Sequence, residues 1–237
     1  MRLNRFYFED FSAEKNITLS KSPIFHQIKN VLRMKEGELI SLFLSPLEAI
    51  YKIEKIDNKK IELLWQENVV PKINIKREVV LFQSLIKKDK MEWVVQKAVE
   101  LGVKKLVPVI SERSEKKEIN LDRLNKIIIE ASEQCGRIDI MEIGEPLKFK
   151  ESLKKKEGIS FIGDASGSYF SEVFSEYSSK SKFQNGPFSI FVGPEGGFSS
   201  LELSLASENS LKVLSLNNYI LRSETASVAF LSLIFNF

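Results

Sequence analysis

The sequence predicts an α/β protein in two parts, a small β-rich unit followed by a larger unit of parallel strands and helices. Three observations predict it. Residues 39–65 hold short strand-length runs with no helical period between them. From Val79 onward, continuous apolar runs alternate with amphipathic helical stretches, the pattern of strands buried on both faces by helices. Two of those runs end in loops suited to a ligand, Gly193-Pro-Glu-Gly-Gly197 and Asn217-Asn-Tyr-Ile-Leu221, and open parallel sheets bind ligands at the carboxyl ends of their strands.

In chain order, residues 25–33 place Phe25, Ile28 and Leu32 on one helical stripe and His26, Lys29 and Arg33 away from it. Strands follow at 39–44, 49–56 and 60–65, with alternation clearest from Tyr51 to Ile56 and Asp57-Asn58 as turn chemistry. Residues 67–76, interrupted by Pro71, read as a linker. The second part opens with a strand at 79–86. Next comes a helix in which Asp89 and Glu92 form a capping box, Met91, Val94, Val95, Ala98 and Leu101 form an apolar stripe, and Gly102 is the stop. Residues 105–110 read as a parallel strand that Pro108 pushes towards an edge or bulge.

A further helix carries Leu121, Leu124, Ile128, Ala131 and Cys135 on one face and ends at Gly136, so Cys135 is expected as a small buried residue. Lys154-Lys-Lys156 reads as a solvated basic run and 159–164 as a core strand leading into an irregular Ala165-Ser-Gly-Ser168. Residues 175–185 read as a surface loop or poorly ordered helix end. After the strand at 188–192, the glycine loop leads into a capping box, Ser199-Ser-Leu-Glu202, so it ends at a helix N-terminus. A strand at 211–216 follows, then a last helix with Ala226, Ala229, Phe230 and Leu233 on one face.

Composition bounds the function. The chain has 237 residues, 43% hydrophobic and 28% charged, which suffices for a sizeable core. No apolar run is long enough to span a bilayer, and acidic residues follow the first eight positions where a signal peptide would stay apolar, so a cytoplasmic protein is expected, with no membrane partner. One cysteine and one histidine exclude an internal disulfide and a Cys/His metal cluster. The net charge is +3, with the basic excess in residues 1–150 and a slightly acidic remainder. A polyanion would therefore be held by the first two thirds of the chain. The glycine loop matches neither the dinucleotide fingerprint nor a Walker loop, so spacing alone does not identify its ligand.

Phe191-Val-Gly-Pro-Glu-Gly-Gly-Phe198 with Tyr219-Ile-Leu-Arg-Ser-Glu-Thr-Ala226 closely resembles the signature of the RsmE family, the 16S rRNA uracil-N3 methyltransferases of the SPOUT superfamily. The resemblance extends to His26 with Val31-Leu-Arg33, the stretch from Met91 to Val103, Pro108-Val-Ile-Ser-Glu-Arg-Ser114, and Glu130-Ala-Ser-Glu-Gln-Cys-Gly-Arg137. It implies a PUA-like RNA-binding β-barrel over residues 1–72 and a SPOUT methyltransferase domain with a C-terminal trefoil knot over residues 73–237. It also implies S-adenosyl-L-methionine as cofactor, no metal, a homodimer, and small-subunit (16S) ribosomal RNA as partner.

Carried over by position, the cofactor contacts are Gly193, Pro194, Glu195, Gly196 and Gly197 from one loop and Ser215, Leu216, Asn217, Ile220, Leu221 and Arg222 from the other. Arg222 is the candidate for stabilising the uracil anion, with a salt bridge to Glu224 or capping of a neighbouring loop as its plainer role. Glu195 is a candidate to orient the sulfonium or take the proton, or else a loop brace. RNA contacts are expected from Arg2, Arg5, His26, Lys29 and Arg33 in the first part and from Arg113, Gln134 and Arg137 in the second. The rival readings are another SPOUT specificity, ribose 2′-O-methylation, and a catalytically silent RNA-binding assembly factor.

Overall fold

The computed structural model describes residues 3–70, 77–177 and 186–236. Two compact units emerge, one of Met1–Asn74 with Ile129–Ile140, the other of Ile75–Ile128 with Met141–Phe237.

The first unit is a five-stranded sheet in the order β1-β3-β4-β5-β2, from β1 (Asn4–Tyr7), β2 (Asn16–Ser20), β3 (Leu39–Leu44), β4 (Leu47–Ile56) and β5 (Lys60–Asn68). All its pairings are antiparallel except that of β1 with β3. The alternation read around Tyr51 is the inward face of β4, where Ala49, Tyr51 and Ile53 are fully buried against Phe6, Leu19, Ile28, Ile40, Leu42 and Ile61. Burying Tyr51 requires a partner for its hydroxyl, which donates to the Glu14 carbonyl at 2.7 Å. β1 and β2 carry too few apolar residues to stand out in the sequence, and each is recruited by pairing with a stronger strand.

The helix expected over 25–33 is corrected. Helix α1 (Pro23–His26), capped by the Ser22 hydroxyl, gives way at once to a π-helical turn, Gln27–Val31, and Arg33 adopts a φ of 52°. The widened turn breaks the stripe. Ile28 is buried, but Leu32 and Val31 are exposed.

The second unit is a seven-stranded sheet whose pairs, among the described residues, are all parallel, ordered β12-β10-β11-β6-β7-β8, with β9 also on β7. Its strands are β6 (Val79–Ser84), β7 (Lys105–Ile110), β8 (Glu142–Ile143), β9 (Leu147–Lys148), β10 (Ile159–Tyr169), β11 (Phe188–Val192) and β12 (Lys212–Ser215). Between and after them lie α2 (Lys88–Leu101), α3 (Leu121–Cys135), α4 (Phe149–Ser152), α5 (Phe170–Tyr177), α6 (Ser200–Glu208) and α7 (Ser223–Asn236). β6 and β11 are buried along their whole length, as their unbroken apolar runs require, and Phe82 stacks on Phe191 across them at 4.3 Å.

Pro108 is accommodated by a gap. Along β7 the Leu106 carbonyl faces Gly144 and the Val109 carbonyl faces Leu85, so alternation turns Pro108 to the side where β8 has ended and β9 has not begun. α2 ends as expected at Gly102, with φ 92°, but its cap does not: Lys87 is the N-cap and makes no side-chain cap bond. Asp89 lies inside the first turn instead, where a carboxylate favours the helix dipole. Cys135 is exposed: it continues the stripe of Leu124, Ile128 and Ala131 but stands at the last residue of α3.

β10 does not stop at Asp164. After a register shift it continues as Ala165-Ser-Gly-Ser168 and re-pairs with Leu214 and Ser215. Gly167 makes this possible, since a Cβ there would stand 2.5 Å from the carbonyl carbon of Val213. α7 is rotated from the expected face: Ser223, Ser227, Phe230, Leu231 and Ile234 are buried, while Ala226, Ala229 and Leu233 are half-buried. The expected linker falls partly, and the loop at 175–185 mostly, outside the described residues.

Candidate active site

The two loops singled out in the sequence meet. Residues after β11 and residues after β12 line one cavity of about 370 Å³, within the size range of small-molecule sites. Gly193, Pro194, Glu195, Gly196 and Gly197 form one wall, Ser215, Leu216, Asn217, Tyr219, Ile220 and Leu221 another, and Gly163, Asp164 and Ala165 of β10 a third. Parallel pairing brings this about: Gly163 stands beside Val192 and Leu214, so the carboxyl ends of β11 and β12 meet at the register shift of β10.

The glycine loop keeps its shape for local reasons. Gly197 has φ 68°, and a Cβ at Gly193 would stand 3.2 Å from the Phe198 ring. The capping box is present: Ser199 Oγ accepts from Glu202 N at 3.2 Å and Glu202 Oε2 accepts from Ser199 N at 2.9 Å. Glu202 is nearly fully buried, and its other oxygen accepts from Glu112 N at 3.0 Å, joining the loop after β7 to the start of α6. Arg113 in that loop donates Nη1 to the Gly196 carbonyl at 3.0 Å.

A buried polar network fastens the two arms. Ser223 Oγ donates to the Gly193 carbonyl at 2.5 Å and accepts from Gln83 Nε2 at 3.0 Å, and Ser227 Oγ lies 2.5 Å from Gln83 Oε1. All three side chains are buried, so each polar atom needs its partner. None of them was read as a site residue. The signal was there in Gln83, a polar residue inside an otherwise apolar strand, which obliges something opposite to satisfy it.

Glu195 sits at the rim as a brace: its Oε1 accepts from Lys87 N at 3.4 Å and lies 3.8 Å from Lys90 Nζ. Arg222 stands between two lining residues, Leu221 and Ser223, and its own side chain is exposed rather than part of the lining. Glu224, expected as a salt-bridge partner for Arg222, pairs instead with Lys90 at 3.4 Å. Tyr219 and Ile220 are 79% and 91% exposed.

A second cavity of the same unit, about 640 Å³, is lined by Lys88, Lys116, Lys117 and Arg123 against Glu92, Glu115 and Glu118. It is larger, but its opposed charges nearly cancel and it gathers none of the glycines. Among the described residues no group of three His, Cys, Asp or Glu could hold a metal ion, and no helix is long and apolar enough to cross a membrane.

The residues expected to touch RNA divide. Arg2 lies outside the described residues. Arg5 is corrected: Nε and Nη2 clasp both oxygens of Glu48 at 2.8 and 2.9 Å, Nη1 donates to the Ser132 carbonyl at 3.0 Å, and Nη1 and Nη2 reach the Arg137 carbonyl at 3.4 and 3.5 Å. It also lies over the Phe43 ring at 4.3 Å. Every N–H is committed, so none remains for a phosphate. Arg137 is corrected likewise, with its side chain only 8% exposed and its guanidinium on Asp139 at 2.5 Å. Lys29 braces the β4–β5 turn through the Asp57 carbonyl and Asn58 Oδ1, both at 2.7 Å. His26, Arg33, Arg113 and Gln134 are exposed, with His26 Nδ1 2.8 Å from Asn30 Nδ2.

Two carboxylates of the first unit shift in opposite directions. For Glu48 burial pushes the pKa up, but hydrogen bonds from Arg5 and Ser41 and the charge of Arg5 outweigh it, leaving it below its ordinary value. For Glu133 burial dominates over the Tyr7 N–H and Gln27 bonds, and its pKa is raised.

Residues 74–235 match the family model of the RNA methyltransferase domain. The chain is 32% identical to ribosomal RNA small subunit methyltransferase E of Rickettsia conorii over 96% of this chain and 93% of that protein. To its counterpart from Aquifex aeolicus it is 30% identical over 88% and 95%. Ribosomal RNA small subunit methyltransferase E of Neisseria gonorrhoeae, solved bound to S-adenosyl methionine, superposes with a TM-score of 0.84 at 27% identity, covering 99% of this chain and 98% of that one. A methyltransferase structure from Legionella pneumophila with bound SAM gives 0.86 at 30% identity over 99% and 97%. The fold, the family model and full-length relatives thus agree that the chain belongs to the RsmE family of small-subunit ribosomal RNA methyltransferases.

Proposed function

We propose that this protein transfers the methyl group of S-adenosyl-L-methionine to N3 of a uracil in 16S ribosomal RNA. The observation that carries the reading is the convergence of the glycine loop and residues 215–221 on one cavity. Its lining suits the donor: glycine backbone for close polar contact, Leu216, Ile220 and Leu221 as an apolar wall for a purine, and Glu195 as an anion at the rim for a sulfonium. Relatives solved with this molecule bound support the same assignment. When bound, it supplies a methyl group already activated on sulfur, so no metal is required.

The chain's own part is positioning and electrostatics. Gly193, Gly196 and Gly197 let backbone approach the donor, and Ser215 and Asn217 offer polar atoms to it. As the S–CH3 bond of the donor gives way to N3–CH3, the thioether product leaves and the N3 proton passes to water, with negative charge spread onto O2 and O4 of the base on the way. Arg222, exposed next to the cavity lining and without a carboxylate partner among the described residues, is the cation to meet that charge. Glu195 acts as the brace that keeps the glycine loop in place. The target base is presented unpaired, because N3 is otherwise occupied by its base-pairing hydrogen bond.

Residues 1–72 serve as the PUA-like RNA-holding domain and 73–237 as the SPOUT domain. His26, Lys29 and Arg33 remain its candidates for RNA contact, with Arg113 and Gln134 beyond it. A trefoil knot fits the strand order β12-β10-β11, in which the chain crosses back over β10 before entering the loop after β12. The enzyme works as a homodimer in the cytoplasm, and the half-buried apolar face of α7 with Tyr219 and Ile220 is the surface a second copy covers.

The test is methylation of small subunits from a strain lacking this protein, followed by mapping of the modified nucleotide. A methyl on uracil N3 is expected. A methyl on a ribose 2′-oxygen, or no transfer by a chain that binds no donor, overturns the reading in favour of another specificity or a silent assembly factor.

A further inference from the structure

Lys90 lies in the first turn of α2, far in sequence from both loops of the cavity. Its ammonium nevertheless reaches a carboxylate from each arm, Glu195 Oε1 at 3.8 Å in the glycine loop and Glu224 Oε1 at 3.4 Å at the start of α7. The three side chains are between 16% and 28% exposed, so this is a partly shielded network and not a solvated surface pair. Glu224 Oε2 is buried and has no hydrogen-bond partner. Glu195 lines the cavity, as do Ser223 and Ala226 on either side of Glu224. Without Lys90 two carboxylates would share a partly desolvated place with no cation between them, and their repulsion would act along the line that separates the arms.

We propose that Lys90 is a positioning residue for methyl-donor binding: by holding Glu195 and Glu224 on one ammonium it sets the separation of the two loops that form the cavity. This rests on the donor site proposed above. The Ser223 hydroxyl on the Gly193 carbonyl joins the same arms in the interior, so the fold does not depend on Lys90. Lys90 governs how closely the exposed ends of the loops approach.

The experiment is titration calorimetry of the full chain with S-adenosyl-L-methionine, for the wild type, Lys90→Met, Lys90→Arg and the double variant Lys90→Met with Glu224→Gln. Melting temperatures are measured without ligand. Lys90→Met is expected to weaken donor binding about tenfold, as coupling energies between contacting residues allow. Lys90→Arg should bind close to the wild type. The double variant should recover most of the loss, because one of the two repelling charges is gone, and melting should change little across the series. Unchanged affinity in Lys90→Met, or a loss that Glu224→Gln does not relieve, overturns the role of Lys90. A wild-type chain that takes up no donor overturns the site itself and the proposal with it.

Discussion

The two units use their polar side chains in opposite ways. In the first, Arg5, Glu48 and Ser41 face one another in the interior, every guanidinium N–H is occupied, and the cluster serves the fold. In the second, the network that fastens the cavity's arms, Gln83, Ser223 and Ser227, is neutral, the buried Glu202 is held by backbone N–H groups, and Arg222 is exposed beside the cavity with no carboxylate partner among the described residues. A basic residue is therefore a poor guide to a binding surface until its partners are known. Arg5 and Arg222 look alike in the sequence, and burial alone separates them.

The sharpest way to break this contrast is to remove each arginine. Arg5→Ala strands the Glu48 carboxylate, whose side chain is 9% exposed, and should cost about 3–5 kcal/mol in denaturant unfolding. A variant that unfolds like the wild type yet loses RNA affinity would show that Arg5 faces outward after all. Arg222→Ala should leave unfolding unchanged and lower turnover on small subunits by about a hundred- to a thousandfold. A comparable loss of stability with normal turnover would make Arg222 a second fold residue.

Smaller effects sharpen the picture within the first unit. Glu133 has a raised pKa, so on deprotonation the unfolded chain gives up its proton first. Stability falls as pH rises from the ordinary carboxyl range to the raised value, and the penalty persists above it. Glu133→Gln should thus raise the melting temperature by about 2–4 °C at neutral pH and not at all below the ordinary carboxyl range. Glu48 has the opposite sign: its contribution is present above the unfolded pKa and is lost as pH falls through the lowered folded value. An equal gain for Glu133→Gln at both pH extremes would remove the carboxyl from the explanation.

The parts of the molecule legible in the sequence are those fixed by local chemistry. The capping box of Ser199 and Glu202, the left-handed stop at Gly102 and the buried runs of β6 and β11 follow from residue type and spacing alone. The two loops were legible as loops, and their meeting follows once the strands are parallel. What escaped was decided by partners distant in the chain. The buried face of α7 is set by Gln83, which draws two serines inward ahead of the alanines. The π-turn at Gln27–Val31 shifts a stripe that was regular on paper. Asp89 looks like a cap, yet the helix begins before it, and Lys90 carries no mark of its link to Glu195 and Glu224.

The crowding at Gly167 bears on how this protein could be redesigned. The backbone of β10 there rides directly on Val213, so the strand that carries Asp164 and Ala165 into the cavity cannot take a side chain at Gly167 without parting from β12. Room for donors carrying bulkier alkyl groups has to come from the lining side chains outside the strands, such as Leu216 and Leu221, at a cost in the apolar wall they form.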